Sequence, residues 1–91
     1  MDVMLYLDNL SVSTTEDELV TLFTQVGEVT AVQIHRDRIS GASKGYGFLS
    51  MSMVNEADRA VSRFNTHSLN GNELHVRLSK PRAVRGNKPD Q

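Results

Sequence analysis

The sequence predicts a single α+β domain in which strands and helices follow the order βαββαβ. Four short segments alternate apolar and other side chains, as strands do, and two segments place apolar residues at helical spacing. The 91 residues can build one hydrophobic core but not two. No further apolar segment remains to cover a second face of the sheet.

The first strand and the first helix occupy the N-terminal third of the chain. Residues 3–8 alternate, with aliphatic side chains on one face and Tyr6 on the other. Thr15, with Glu18 three residues later, predicts a capping box at the start of a helix. Gly27 predicts the end of that helix. The apolar residues of the helix share one face: Leu19, Leu22, Phe23 and Val26.

The later segments repeat this pattern. Residues 29–36 alternate as the second strand, and residues 74–78 alternate as the fourth. Asn55 is suited to cap the second helix. Residues 65–72 are expected to form a loop that ends in the turn signal Asn-Gly-Asn. The second helix repeats the apolar spacing of the first: Ala57, Ala60, Val61 and Phe64.

The third strand, residues 44–51, carries apolar side chains on both faces. Tyr46 and Phe48 lie on one face, and Met51 lies on the other. Gly47 stands between the two rings, and a glycine inside a strand often marks the close approach of another group. The strand is therefore either covered on both sides or exposes two rings for flat ligands.

The connections between the elements decide between these interpretations. Right-handed crossovers put both helices on the same side of the sheet. They cover the aliphatic face and leave Tyr6, Tyr46 and Phe48 on the open one. Residues 81–91 have no apolar period and predict a flexible, basic C-terminal tail, which leaves residues 1–80 as the domain.

The composition excludes several classes of protein. Without cysteine, the chain has no disulfide framework, thiolate metal site or cysteine nucleophile. No apolar run approaches the roughly 20 residues of a membrane span, and the N-terminus lacks the pattern of a signal peptide. We therefore expect a cytoplasmic protein that neither crosses a membrane nor carries a cofactor.

The net charge of −1 conceals an uneven distribution. Residues 1–35 contain six of the eleven acidic residues and none of the ten basic ones. Such asymmetry indicates an anionic partner, although uneven placement on an ordinary surface explains it equally well. Rings edged by cations suit single-stranded nucleic acid, because bases stack on rings and phosphates meet Lys and Arg. The cations in question are Lys44, Arg77, Lys80 and Arg82.

Two motifs give the chain a resemblance to a known family. Residues 44–51, Lys-Gly-Tyr-Gly-Phe-Leu-Ser-Met, resemble the octapeptide motif of RNA-recognition-motif (RRM) domains. Residues 5–10, Leu-Tyr-Leu-Asp-Asn-Leu, resemble the hexapeptide motif of the family's first strand. The resemblance covers residues 3 to about 80. Within the family, the chain is similar to small stand-alone bacterial RRM proteins. Met51 stands where the family usually has an aromatic residue, and we expect it to face the core.

The resemblance implies a ferredoxin-like βαββαβ sandwich with a four-stranded antiparallel sheet in the order 4-1-3-2. It implies non-catalytic binding of single-stranded RNA by a monomer. Tyr6 and Phe48 would be base platforms, Tyr46 would pack against sugars, and Lys44 would meet a phosphate. Further RNA contacts are expected from Gln33, His35, Arg77, Ser79, Lys80 and Arg82.

Other interpretations were weighed against RNA binding. The same open face could bind a protein or single-stranded DNA instead, and the tail could seal it. Acylphosphatase-like enzymes share the layout but need an arginine in the loop after the first strand, and residues 8–14 contain none. No Walker loop or catalytic triad is present, so we expect no enzyme. In the implied order, His35 and His75 lie on opposite edges, roughly 14 Å apart, which is too far to share a metal ion.

Overall fold

The computed structural model describes residues 2–79. Lys80, Arg82 and the predicted tail, residues 81–91, lie outside these residues, so the tail and the domain boundary at residue 80 stay predictions. The elements are β1 (Val3–Asp8), α1 (Glu16–Phe23), β2 (Val29–Arg36), β3 (Ser43–Met51), α2 (Val54–Phe64), β4 (Ser68–Leu69), β5 (Asn72–Glu73) and β6 (His75–Leu78).

The main sheet has the strand order β2-β3-β1-β6. All of its pairings are antiparallel. Because β6 is the fourth long strand of the chain, this is the predicted order 4-1-3-2. Both helices pack on the same face of the sheet, so the predicted ferredoxin-like sandwich is confirmed.

The small hairpin of β4 and β5 was predicted only as a loop with a turn signal. Its two-residue strands are joined by Asn70 and Gly71, both of which have positive φ angles. A two-residue turn with positive φ at both positions matches the twist of a hairpin, and Asn-Gly is the preferred sequence for it. The turn signal was therefore correct, but the strands were too short to show an alternating pattern.

Helix α1 begins as predicted. The backbone N–H of Glu18 donates to Thr15 Oγ1 at 3.2 Å, and the Glu18 carboxylate accepts from the Thr15 N–H at 3.0 Å. The helix ends at Phe23, earlier than Gly27, and a turn follows in which the Val26 N–H donates to the Phe23 carbonyl. That turn still delivers Val26 to the core.

Helix α2 differs from the prediction at its start. Its N-cap residue is Met53, which makes no side-chain capping hydrogen bond. Asn55 lies inside the first turn, where its side-chain oxygen accepts from the Glu56 N–H. The expected Asn55 cap is therefore wrong, because the helix begins one residue before it.

The core lies between the two helices and the aliphatic face of the sheet. Met51 is completely buried, so the departure from the family motif concerns packing, as expected. The rings of Phe23 and Phe64 meet at 4.9 Å and join the two helices. The fully buried residues include Leu5, Leu7, Leu19, Leu49, Ala57 and Ala60.

Glu16, at the start of α1, connects the helix to the outer strand β2. Its carboxylate accepts from the Ile34 backbone N–H at 3.3 Å and from the Arg36 guanidinium at 2.6 Å. Partial burial raises the pKa of Glu16, but the hydrogen bonds from its own backbone, Arg36 and Ile34 outweigh that effect and lower the pKa below its ordinary value.

Candidate nucleic-acid interface

One row of side chains crosses the open face of the sheet from edge to edge. Tyr6 pairs in register with Phe48 on one side and with Arg77 on the other, and Phe48 pairs with Gln33. Within residues 2–79, no secondary-structure element covers this face. The row therefore combines two central rings with a polar side chain at each end.

Four rings form what we call the aromatic cluster: Tyr6, His35, Tyr46 and Phe48. The centroid of Tyr6 lies 5.5 Å from that of Phe48 and 6.2 Å from that of Tyr46. The His35 ring stacks on Tyr46 at 4.8 Å, with an angle of 19° between the planes, and meets Phe48 edge-on at 5.6 Å. The two predicted platform rings are therefore neighbours, and the cluster extends to the outer strand β2.

The alignment of β2 with β3 explains the position of His35. Gln33 pairs with Phe48 and Ile34 with Gly47, so the same register continued by one residue brings His35 opposite Tyr46. The register shifts only beyond this point, between Ile34 and Arg36. The alternation of residues 29–36 predicted that His35 faces the open side, but its stacking on Tyr46 depends on the strand register, which no local pattern reports.

Arg77 lies over the ring of Tyr6. Its guanidinium carbon is 4.7 Å from the ring centroid, which is a cation–π contact. Such a contact at an exposed site contributes about 0.5–1 kcal/mol. A stacked base contributes about 1–3 kcal/mol, so a base can take the place of the guanidinium on Tyr6.

The predicted cation Lys44 lies next to an ordered loop. Lys44 is exposed near the start of β3. The loop before it is held by Asp37, whose carboxylate accepts from the backbone N–H groups of Ser40 and Ile39. These hydrogen bonds lower the pKa of Asp37.

Ser79 extends β6, since its N–H donates to the Met4 carbonyl at 2.9 Å. Lys80 and Arg82 lie outside the described residues.

A shallow pocket lies on the open face, at the edge of the sheet where β6 runs. It has a volume of about 280 Å³, and Tyr6, Asp8, His75 and Arg77 are among the residues that line it. Asp8 pairs in register with both Tyr46 and His75, and its Oδ1 lies 3.0 Å from His75 Nδ1. The sequence analysis did not single out Asp8; the alternation of residues 3–8, which places Asp8 on the same face as Tyr6, was the signal that could have found it.

Gly47 allows close packing within the sheet, in keeping with the close approach of another group that the sequence suggested. It is buried, and a Cβ atom there would meet the backbone of β2 at Gln33 and Ile34. The group that approaches this glycine is therefore the neighbouring strand.

The two histidines of the open face lie on the outer strands, His35 on β2 and His75 on β6. Within residues 2–79, no three His, Asp or Glu side chains are grouped as ligands for a metal ion. In the same part of the chain, neither helix has the length and apolar character needed to cross a membrane.

Comparisons with known proteins point to one family. A family model described as the RNA recognition motif matches residues 5–75. The putative RNA-binding protein RbpE of a Nostoc species is 35% identical over 82 residues, which cover 90% of this chain and 83% of that protein. The chain spans only 28% to 56% of the length of several plant and fungal relatives, including small RNA-binding protein 11 (chloroplastic) of Arabidopsis thaliana, to which it is 38% identical.

Solved structures agree with the sequence comparisons. The crystal structure of RNA-binding protein PG1 has a TM-score of 0.82 and 30% identity, and the match covers 97% of this chain and 99% of that one. The structure of the Rna15 RRM with bound RNA (GU) has a TM-score of 0.78 and 26% identity, and the match covers 91% of this chain and 88% of the other.

Proposed function

Because the chain belongs to the RNA recognition motif family, we propose that it binds single-stranded RNA on the open face of its sheet, without catalysis. The observation that carries the proposal is the aromatic cluster, whose rings lie side by side on a face that no described element covers. Relatives that are named RNA-binding proteins and a similar domain with bound RNA support the same ligand.

Stacking supplies the main attraction in this proposal. Tyr6 and Phe48 each offer a ring to one base, and each stacked base contributes about 1–3 kcal/mol. With a few phosphate contacts added, the dissociation constant should lie between about 1 mM and 1 μM. A single small domain offers little surface for tighter binding.

Phosphate contacts add a term that depends on salt. Lys44 and Arg77 are the described cations best placed for it, and Lys80 or Arg82 could supply a third. If about three phosphates are neutralised, the slope of log K against log salt should be near −2, from roughly −0.7 per phosphate. The acids of α1 lie on the opposite side of the sheet, which explains how a chain of net charge −1 can attract a polyanion.

Replacing Phe48 with alanine tests the proposal. The full chain is titrated with a labelled mixed-sequence RNA, and affinity should fall at least about fivefold because one stacking contact of about 1 kcal/mol or more is lost. Val54→Ala is the matched control, since Val54 is an exposed apolar residue at the start of α2. Circular dichroism checks the fold of both variants.

Two results would contradict RNA binding by this face. One is a loss well under threefold in folded Phe48→Ala. The other is the absence of amide shift changes on β1 and β3 at high RNA concentration, which would favour a protein partner for the same face. A parallel titration with DNA of the same sequence decides between RNA and single-stranded DNA.

The remaining assignments are also proposals. We propose a monomer, because one copy of the open face is enough to bind a single strand of RNA. Sedimentation of the full chain tests the oligomeric state. We propose a cytoplasmic location, where RNA is available. Several relatives are named chloroplastic, so fractionation of the source cells is the direct test.

A further inference from the structure

The pocket beside Tyr6 is lined by a carboxylate, that of Asp8, and by a guanidinium, that of Arg77. We propose that Asp8 makes this position specific for guanine, by accepting hydrogen bonds from the Watson–Crick edge of a base stacked on Tyr6. The inference rests on the proposed RNA-binding function and names the base that one position of the face takes.

The position of Asp8 places its carboxylate at the edge of such a base. Asp8 follows Tyr6 by two residues on β1, so both side chains point to the open face, and their Cα atoms are roughly 7 Å apart. The Asp8 side chain is 39% exposed. It is therefore reachable from the pocket.

His75 holds this carboxylate in place. His75 Nδ1 lies 3.0 Å from Asp8 Oδ1, and because an ionised carboxylate only accepts hydrogen bonds, the proton of this pair belongs to Nδ1. Among the described residues, none donates a hydrogen bond to the second oxygen, Oδ2, which can therefore accept from a ligand, and Oδ1 keeps a further lone pair. Within residues 2–79, His75 is the only cationic or titratable basic group within 4.0 Å of Asp8.

A carboxylate on a face that binds RNA repels the phosphates. It favours binding only where the ligand offers hydrogen-bond donors to it. Guanine fits this need, because its N1–H and N2 amino group are two adjacent donors that match a carboxylate. Adenine and cytosine each present one amino group beside an acceptor nitrogen, and uracil presents one N–H between two carbonyls. These three bases would turn at least one acceptor toward Asp8, which the carboxylate disfavours.

Arg77 adds complementary chemistry in the same pocket. It pairs in register with Tyr6, and a base that stacks on Tyr6 displaces its guanidinium from the ring toward the edge of the base. Guanine carries the acceptors O6 and N7, and arginine is the residue that most often binds this pair. The pocket therefore offers both an acceptor group and a donor group beside one ring, and guanine presents partners for both.

The test uses the full chain and four RNA pentamers that are uridine-rich and differ only in the central base. Wild-type protein should prefer the guanine pentamer by at least about fivefold, the lower end for a bidentate base contact. Replacing that guanine with inosine removes only the N2 amino group and should lower the affinity without any change to the protein.

Asp8→Asn is the informative variant, because asparagine keeps the shape and its oxygen still accepts from His75. The guanine preference should fall below about twofold, and inosine should then bind as well as guanine. Asp17→Asn, an equal change of charge in the first turn of α1, should leave the preference unchanged.

Two outcomes would overturn the guanine inference while RNA binding stands. One is equal binding of all pentamers by the wild type. The other is an Asp8→Asn variant that binds every pentamer more tightly by the same factor, which would make Asp8 only a source of repulsion. If the wild type binds no pentamer, the proposed function fails and the inference fails with it.

Discussion

Replacing Gly47 with alanine is expected to weaken the pairing of β2 with β3. A Cβ atom at this position would lie 2.9 Å from Ile34 Cα and closer still to the Gln33 carbonyl oxygen. Carbon atoms in favourable contact are about 3.5–4.0 Å apart, so β2 has to move by roughly 1 Å. Both groups belong to the backbone, which cannot rotate aside as a flexible side chain can.

The expected loss of stability follows from this contact. Extra atoms in a well-packed site cost about 1–3 kcal/mol. We expect about 2–3 kcal/mol here, because the displaced backbone also carries the residues that pair with Phe48 and Gly47. For a domain of this size, that loss lowers Tm by roughly 10–20 °C.

Thermal and urea unfolding of the full chain, followed by circular dichroism, measure the effect. Gly41→Ala is the matched control, since nothing lies within 4 Å of its Cβ position and its φ of +78° costs alanine about 1 kcal/mol. If Gly47→Ala is no less stable than Gly41→Ala but binds RNA more weakly, the glycine serves the ligand and the packing argument is refuted.

Three further predictions concern the helix start, the sheet edge and the face. Thr15→Ala should lower the free energy of unfolding by about 1 kcal/mol, measured in urea, because it removes half of the capping box. The pKa of Glu16 is lowered in the fold, so its carboxylate stabilises the protein above the unfolded pKa, and the advantage of wild type over Glu16→Gln should be full at pH 7 and vanish as the pH falls below about 4. An advantage that persists at pH 2 would contradict this. Arg77→Ala should make the slope of log K against log salt less negative by about 0.7 if the guanidinium meets a phosphate. In contrast, Arg77→Lys should keep the slope but bind more weakly, because lysine cannot bind a phosphate bidentately as arginine can.

Local signals in the sequence were enough to predict most of the fold. The capping box of Thr15 and the alternation that separates Tyr6 from the aliphatic side chains of β1 depend on residues only a few positions apart, and both are present in the structure. The start of α2 was missed because Asn55 has the chemistry of a cap, while the chain turns into the helix before reaching it.

The site was predictable only in part. Tyr6 and Phe48 could be placed on the open face from alternation, but the link between Asp8 and His75 joins residues 67 positions apart, and no local pattern reports such a contact. The partner of Gly47 was missed for the same reason, since the pairing that crowds it depends on how β2 aligns with β3.

The contact between Glu16 and Ile34 has a consequence for the protein in a crowded cell. Outer strands expose unpaired N–H groups to which a strand of another chain can add. At Ile34 that donor is already taken by a carboxylate, which Arg36 holds in position. A second chain that aligned along β2 would have to displace this charge. An RNA-binding face that must keep its rings bare is thus flanked by an edge protected against edge-to-edge aggregation.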